Sequence, residues 1–285
     1  MRHYPVFIPS SLEEFESKIE SIEGTPILLA GGTDIVVYGR SGLLPGDTVL
    51  VDITRLDELK GISEEDGFIR IGALATHQEV AENPLVRSKA NALAEGCAAV
   101  GCLQIKNRGT IGGNLGNASP CGDSFAPLVV LDADFVVKYR GRKRKLKHHE
   151  FFTGPKKTVL KTGEILTHVL VPMRGGVDSF YAWLGQRRAL AITKVSVALA
   201  GVLEGNVIKE ALVALGAVGP TVLESKQAAK ALIGNELTDD VIDAACESSS
   251  GDSSPICDLR SSDEYRRRMC AELLRKCLLR WRDKQ

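Results

Sequence analysis

The chain carries no surplus of charge of either sign, because its 36 Lys and Arg residues are balanced by 36 Asp and Glu residues. Proteins dedicated to binding nucleic acid depend on excess positive charge against phosphate, so this composition argues against that class. No apolar run in the 285 residues approaches the roughly 20 residues that span a bilayer. The first residues also lack the apolar segment of a signal peptide, and we expect none.

Cysteine is present but shows no disulfide pattern. The seven cysteines are odd in number and scattered over a long chain, unlike the cysteines of a disulfide-stabilised protein. We therefore expect a reduced, cytoplasmic protein. Cys97, Cys102 and Cys121 are close in sequence, but their spacing matches neither common ferredoxin pattern. We interpret them as small buried apolar residues.

Candidate metal ligands and acid–base pairs are also few. His148 and His149 fall in a segment interpreted as a strand, where neighbouring side chains point to opposite faces, and no third ligand follows nearby. We predict no metal site. Asp34 and Asp123 are assigned to binding and turn geometry, and we predict no catalytic residue in this chain.

The composition that remains is that of a globular protein, with 44% hydrophobic and 25% charged residues. The patterning predicts an α+β fold with a domain boundary near residue 175. Before it, helices capped at Ser11 and Thr76 alternate with strands such as 25–30, 67–74 and 164–172. After it, residues 179–215 predict an antiparallel meander with a Gly-Asn turn, followed by helices from about residue 222.

Two glycine pairs stand out from this background. They lie in "LLAGGTDI", the first glycine segment (residues 28–35), and in "TIGGN", the second glycine segment (residues 110–114). Glycine lets the backbone approach a ligand closely, and successive amides can form a nest for an anion such as a pyrophosphate. Neither segment has the G-x-G-x-x-G or G-x-x-x-x-G-K-[ST] spacing, so a nicotinamide fold and an ATP-hydrolysing loop are not indicated. A nucleotide-containing cofactor held largely by backbone amides is the hypothesis that remains.

The two segments, together with "NASPCGDSFAPLVVLDA", closely resemble the FAD-binding medium subunit of the molybdenum hydroxylases. That family includes bacterial xanthine dehydrogenase and carbon monoxide dehydrogenase. Further similar stretches are "IGALATHQEV", "FFTGPKKTVLKTGEIL", "GQRRALAITKVSVA" and "SSDEYRRRMCAELLRKCL", so the resemblance runs in order along nearly the whole chain. It implies an N-terminal FAD-binding domain of the vanillyl-alcohol-oxidase type, in two α+β subdomains, over residues 1–175. It also implies a small α+β domain, an antiparallel sheet with helices, over residues 176–285.

The resemblance also assigns residues to the cofactor. In the family the two glycine segments cradle the FAD pyrophosphate, and an aspartate and a leucine further along contribute contacts. The positions so assigned are Leu28, Leu29, Ala30, Gly31, Gly32, Thr33, Asp34, Ile35, Thr110, Ile111, Gly112, Gly113, Asn114, Asp123 and Leu166. Val100 replaces an aromatic contact of some members, and a lysine near the flavin in animal members has no clear match; Arg187 or Arg188 stands in that region.

The implied function is electron transfer. By resemblance, a large molybdopterin subunit hydroxylates the substrate, a small subunit with [2Fe-2S] clusters relays electrons, and FAD on this chain passes them to NAD, a quinone or another acceptor. A heterotrimer or its dimer is expected, with a mild preference for the xanthine dehydrogenase-like branch. Two alternatives stay open: a stand-alone flavin reductase or oxidase of the same FAD fold, and a scaffold subunit without redox function.

The sequence also supports expectations about a basic run and about the second glycine pair. Seven Lys and Arg residues between positions 138 and 147 are interpreted as a solvated hairpin rather than a nucleic-acid site. Replacing Gly112 and Gly113 by Val is expected to abolish cofactor retention while sparing much of the fold.

Overall fold

The computed structural model describes residues 3–187 and 189–284 as an α+β fold. The strands are β1 (Val6–Phe7), β2 (Thr25–Leu29), β3 (Thr48–Asp52), β4 (Ile62–Glu65), β5 (Phe68–Gly72), β6 (Asp134–Tyr139), β7 (Arg142–Leu146), β8 (Phe152–Gly154), β9 (Lys157–Thr158), β10 (Ile165–Pro172), β11 (Val177–Leu184), β12 (Val195–Glu204), β13 (Val207–Gly216) and β14 (Leu223–Glu224). The helices are α1 (Leu12–Lys18), α2 (Ile35–Arg40), α3 (His77–Glu82), α4 (Pro84–Lys89), α5 (Asn91–Ala99), α6 (Leu103–Lys106), α7 (Ile111–Asn117), α8 (Phe125–Val130), α9 (His148–Phe151), α10 (Lys226–Leu232), α11 (Asp239–Asp252) and α12 (Asp263–Arg282).

The N-terminal part contains two principal sheets. The first is parallel, in the order β1-β3-β2, and the second is antiparallel, in the order β4-β5-β10-β6-β7. Ser11 caps α1 by accepting a hydrogen bond from the Glu14 amide, and Thr76 begins α3 with a complete capping box, as the sequence predicts. The strand predicted over residues 164–172 is β10, which lies at the centre of the second sheet and ends at Pro172.

The C-terminal part is an antiparallel sheet, in the order β11-β12-β13-β14, covered by α10, α11 and α12. The predicted meander is confirmed, and the Gly-Asn turn lies between Glu204 and Val207, which pair across the hairpin. Alternate residues of β12 belong to different cores. Ala198 and Ala200 join the apolar cluster of α5 and α8, whereas Val197 and Leu199 join the cluster under α12. Small side chains on one face therefore let this sheet pack closely against the N-terminal part.

The basic hairpin predicted around Gly141 is confirmed as β6 and β7. Its charges are largely paired within the chain. Lys138 lies 3.1 Å from Glu16 of α1, and Arg144 lies 3.0 Å from Glu164. These pairs support the interpretation of the run as a solvated structural hairpin.

Two local predictions are wrong. Residues 148–151 form the short helix α9 instead of a strand, and Glu150 closes that turn by accepting from the Lys147 amide. The second glycine segment, expected to be a loop, is largely the first turn of α7. Its glycines disfavour a helix in isolation, but Thr110 caps the turn and tertiary packing fixes it.

Within the described ranges, no helix combines the length and apolarity needed to cross a bilayer.

Candidate functional site

A cavity of about 560 Å³ lies between the two N-terminal sheets and is closed on one side by α7. Cavities of several hundred cubic ångströms are typical of small-molecule and cofactor sites. The predicted residues on its wall are Leu28, Ala30, Gly31, Gly32, Thr33, Asp34, Ile35, Thr110, Gly112, Gly113, Asn114 and Leu166. The fold therefore brings the two glycine segments to one site, together with Leu166 of β10.

The first glycine segment presents unpaired amides to this cavity. It follows β2 and runs into α2, and the amides of residues 31–35 find no acceptor among the described residues. The first bonded amide after them is that of Val36, which donates to the Gly32 carbonyl over 3.0 Å. Consecutive free amides on a cavity wall form a site suited to an anion.

In the second glycine segment the amides of residues 111–114 are all bonded within the protein, and only the Thr110 amide has no acceptor among the described residues. The Ile111 and Gly112 amides donate to the carbonyls of Ala75 and Ala73, both over 2.9 Å. The Gly113 amide donates to the Thr110 hydroxyl over 3.0 Å, and the Asn114 amide donates to the Thr110 carbonyl over 2.9 Å. This segment therefore contributes the surface of its Cα atoms and side chains to the cavity.

Close packing explains why each segment contains glycine. A Cβ on Gly31 would lie 1.8 Å from the carbonyl oxygen of Arg108, just before the second segment. A Cβ on Gly112 would lie 2.6 Å from the Cβ of Ala73 and 2.7 Å from its carbonyl oxygen. Contacts this short exclude any side chain, so these two glycines hold the walls of the cavity together.

A polar network connects Asp34 of the first glycine segment to α2 and to α7, the helix in which most of the second segment lies. The Asn117 amide group donates to Asp34 Oδ1 over 2.9 Å, and Tyr38 Oη donates to Asn117 Oδ1 over 2.8 Å. Lys156 Nζ, from the β8–β9 turn, donates to both Tyr38 Oη and Asn117 Oδ1 over 2.9 and 3.0 Å. Asp34, Tyr38 and Asn117 all line the cavity, so the network fixes side chains on its wall.

Three predicted contacts lie off the cavity wall. Leu29 and Ile111 are not among the residues that line it, and Ile111 is fully buried in the core. Asp123 accepts hydrogen bonds from Tyr181 Oη and Thr193 Oγ1, over 2.7 and 2.6 Å, and so joins the N-terminal part to the C-terminal part. Burial raises the pKa of Asp123 to about 6, while the two hydroxyls act in the opposite direction. Its contact with FAD stays a prediction.

In animal members of the family a lysine lies near the flavin, and the structure describes only part of the corresponding region of this chain. Val100 lies on the cavity wall. Arg187 instead donates to the carbonyl oxygen of Leu190, over 2.8 Å at the shorter contact. Arg188 lies outside the described residues.

Sequence reasoning missed several wall residues, including the polar side chains of His77, Tyr38 and Asn117. Asn117 has a signal, since it falls one helical turn after Gly113 on the same face of α7. His77 and Tyr38 have none, because only the tertiary fold brings α3 and α2 to this cavity.

Cysteines and metal ligands form no cluster in the part of the chain that the structure describes. Cys97 is fully buried, and burial raises its pKa far above the ordinary value. Cys102 and Cys121 are half-buried free thiols.

The cavity fits a dinucleotide. The free amides of residues 31–35 suit a diphosphate, and the apolar side chains of Val100, Ile105 and Ile53 elsewhere on the wall suit flat rings. The fold and the site together define a flavin-type dinucleotide-binding domain followed by a small α+β domain.

Comparison with known proteins identifies the family. Residues 2–174 match the family described as "FAD binding domain in molybdopterin dehydrogenase", and residues 182–281 match the C-terminal domain of the CO dehydrogenase flavoprotein. The chain therefore belongs to the FAD-binding medium subunits of the molybdenum hydroxylases, and it is an FAD-binding oxidoreductase subunit.

Individual relatives of this chain are subunits of the same family. The nicotinate dehydrogenase FAD-subunit of Eubacterium barkeri is 34% identical over 86% of this chain and 84% of its own length. The glyceraldehyde dehydrogenase medium chain of Sulfolobus acidocaldarius is 31% identical over 95% of this chain and 97% of its own length. A solved structure of carbon monoxide dehydrogenase from Hydrogenophaga pseudoflava, lacking the Mo-pyranopterin moiety of its cofactor, matches with a TM-score of 0.92 at 26% identity, over 98% of this chain and 96% of that one.

Proposed function

We propose that this chain carries FAD in the cavity and serves as the electron-transfer subunit of a molybdenum hydroxylase complex. Bound FAD supplies the redox chemistry, accepting electrons from [2Fe-2S] clusters on a small partner subunit and passing them to NAD, a quinone or another acceptor. Substrate hydroxylation belongs to a large molybdopterin subunit, so this chain needs no nucleophile or general base. We place the heterotrimer, or its dimer, in the cytoplasm.

The observation that carries the proposal is the row of free amides at residues 31–35 on the cavity wall. A scaffold subunit without a cofactor would leave these amides without partners. The match of residues 182–281 to the C-terminal flavoprotein domain supports a complex rather than a stand-alone reductase. The domain boundary near residue 175 is part of the same proposal.

The substrate is not a property of this chain. The relatives described above are named for nicotinate, glyceraldehyde and carbon monoxide. The sequence motifs favour the purine-oxidising branch, and that preference stays a prediction.

The experiment is to co-express this chain with the large and small subunits of its complex and to purify the complex. We expect about one FAD per copy of this chain, and its visible absorbance should bleach when the complex's substrate is added without oxygen. Omitting the small subunit should leave FAD bound but prevent the bleaching. A complex that assembles and turns over without FAD on this chain would contradict the proposal.

A further inference from the structure

His77 is a buried histidine on the cavity wall that the protein leaves without a partner. It is the first residue of α3, and only 2% of its surface is exposed. Its Nδ1 is buried and has no hydrogen-bond partner. Nε2 is not among the buried unpaired atoms, so we infer that it is the ring nitrogen that faces the cavity. A neutral imidazole has one donor and one acceptor, and buried polar groups in folded proteins are normally paired.

The surroundings of His77 keep the imidazole neutral. Its ring lies beside Gly109, the residue before the second glycine segment, where a Cβ would be 3.3 Å from Cδ2 of His77. Val100 and Ile105 are apolar neighbours on the same cavity wall. Burial, and secondarily the charge of Lys106, lowers the pKa of His77 to about 4. A neutral ring with Nε2 protonated can donate a hydrogen bond into the cavity without adding charge.

His168 provides the comparison within the same chain. It is also buried, at 9% exposure, and burial also lowers its pKa to about 4. Its Nδ1, however, lies 2.9 Å from Thr167 Oγ1, and it does not line the cavity. The fold thus supplies a partner for the buried histidine away from the cavity and none for the one on the cavity wall.

We propose that His77 is a cofactor-binding residue, whose imidazole N–H donates a hydrogen bond to an acceptor oxygen of the bound FAD. The oxygen belongs either to the diphosphate or to the flavin ring. A Cβ on Gly109 would lie 3.3 Å from Cδ2 of His77 and 3.6 Å from Oγ1 of Thr33, and His77 also shares the cavity wall with the apolar Val100 and Ile105. This inference rests on the proposed function, since it requires FAD in the cavity.

The test measures two quantities for each purified variant: the FAD dissociation constant, by quenching of flavin fluorescence, and the urea midpoint of the FAD-free chain. We expect His77→Leu to weaken FAD binding about 5- to 10-fold, the effect of one hydrogen bond. The FAD-free urea midpoint should stay the same or rise, because an unpaired buried polar group is removed. His77→Gln, which keeps an N–H donor, should restore most of the affinity.

The matched control is His168→Leu. It should lower the FAD-free urea midpoint, because Thr167 loses a partner, and leave the FAD dissociation constant unchanged. A merely structural His77 would behave like His168, and that result would overturn the inference. Wild-type affinity in His77→Leu, or equal losses of affinity in His77→Gln and His77→Leu, would also overturn it. Should His77→Leu fail to fold, the FAD dissociation constants of His77→Gln and His77→Asn are compared instead. Only His77→Gln, with the longer amide side chain, is expected to bind FAD nearly as well as wild type.

Titrations with FMN and ADP locate the acceptor. If His77→Leu loses affinity for FMN alone, relative to wild type, the proposal is supported with the oxygen on the flavin half. If it loses affinity for both ligands, the proposal is supported with the oxygen on the diphosphate. Failure of the wild-type chain to bind FAD, both alone and in the complex with its partner subunits, would contradict the proposed function itself, and is thereby distinguished from failure of the His77 assignment.

Discussion

The two glycine segments look equivalent in sequence, yet they contribute different groups to the cavity wall. Residues 31–35 keep their amides free, whereas each amide of residues 111–114 has an acceptor inside the protein. Gly31 and Gly112 are nevertheless both packed against backbone. A glycine pair therefore indicates close approach of something, and only the tertiary structure shows whether that is a ligand or another part of the chain.

The largest effect is expected from Gly112→Val. Its side chain would collide with Ala73, so we expect the variant to lose about 3 kcal/mol of unfolding free energy or to fail to fold. Urea unfolding of the FAD-free chain measures this loss. Gly116→Val, on the same helix with open space around its Cβ, should change stability by only about 0.5 kcal/mol. Equal stability of Gly112→Val and Gly116→Val would contradict this prediction and would support the sequence-based expectation that Gly112 can be replaced without harm to the fold.

Asp123 is assigned to FAD by the resemblance, and in the structure its carboxylate accepts hydrogen bonds from Tyr181 and Thr193 of the C-terminal part. Its pKa of about 6 exceeds that of an unfolded aspartate, about 4. The folded state therefore holds the proton more tightly, and the stability that this adds is complete below about pH 4 and lost as pH rises through about 6. Asp123→Asn should remove the pH dependence, on the order of 3 kcal/mol between those limits.

The measurement is the difference in unfolding free energy between wild type and Asp123→Asn, taken across pH 4 to 7.5, in which other groups cancel. Tyr181→Phe removes one donor to the carboxylate and should move the loss to higher pH. A difference in unfolding free energy that does not vary with pH would contradict the raised pKa of Asp123.

Gly116→Leu tests the cavity without disturbing its walls. Gly116 lines the cavity, and a Cβ there would meet nothing within 4 Å. A leucine should weaken FAD binding on the order of 10-fold or more, at least about 1.4 kcal/mol, with the FAD-free stability kept. Gly251→Leu is the matched control, a helical glycine of α11 with equally open surroundings outside the cavity. Unchanged FAD binding in Gly116→Leu would place the cofactor elsewhere.

The smallest effect is expected at the polar network between the segments. Lys156→Met removes the donor to Tyr38 and Asn117 and should weaken FAD binding about threefold at low salt, in the range of exposed charges. The effect should shrink as salt increases. Lys157→Met, a neighbouring lysine outside the network, should change the FAD dissociation constant less.

Much of the fold follows from local signals. The caps at Ser11 and Thr76, the meander with its Gly-Asn turn and the central strand β10 all have patterns that a short window contains. β4 has no such pattern, because "ISEE" is an acidic edge strand that only pairing with β5 fixes. The helix α7 contradicts glycine propensity, since packing against Ala73 outweighs it.

The site was predictable in its position but not in its chemistry. The glycine segments identify the two walls, and the resemblance names the cofactor. Which amides stay free depends on Ala75 and Ala73, which lie more than 35 residues before their respective partners Ile111 and Gly112. The unpaired imidazole of His77 likewise depends on burial that no sequence pattern around it indicates.

Amide hydrogen exchange, measured by mass spectrometry with and without FAD, tests the central claim most directly. We expect residues 31–35 to exchange fast in the FAD-free chain and to become protected when FAD binds, because FAD supplies their missing acceptors. Residues 111–114 should be protected in both states by their internal bonds. Protection gained at residues 111–114 alone, with residues 31–35 unchanged by bound FAD, would contradict the account.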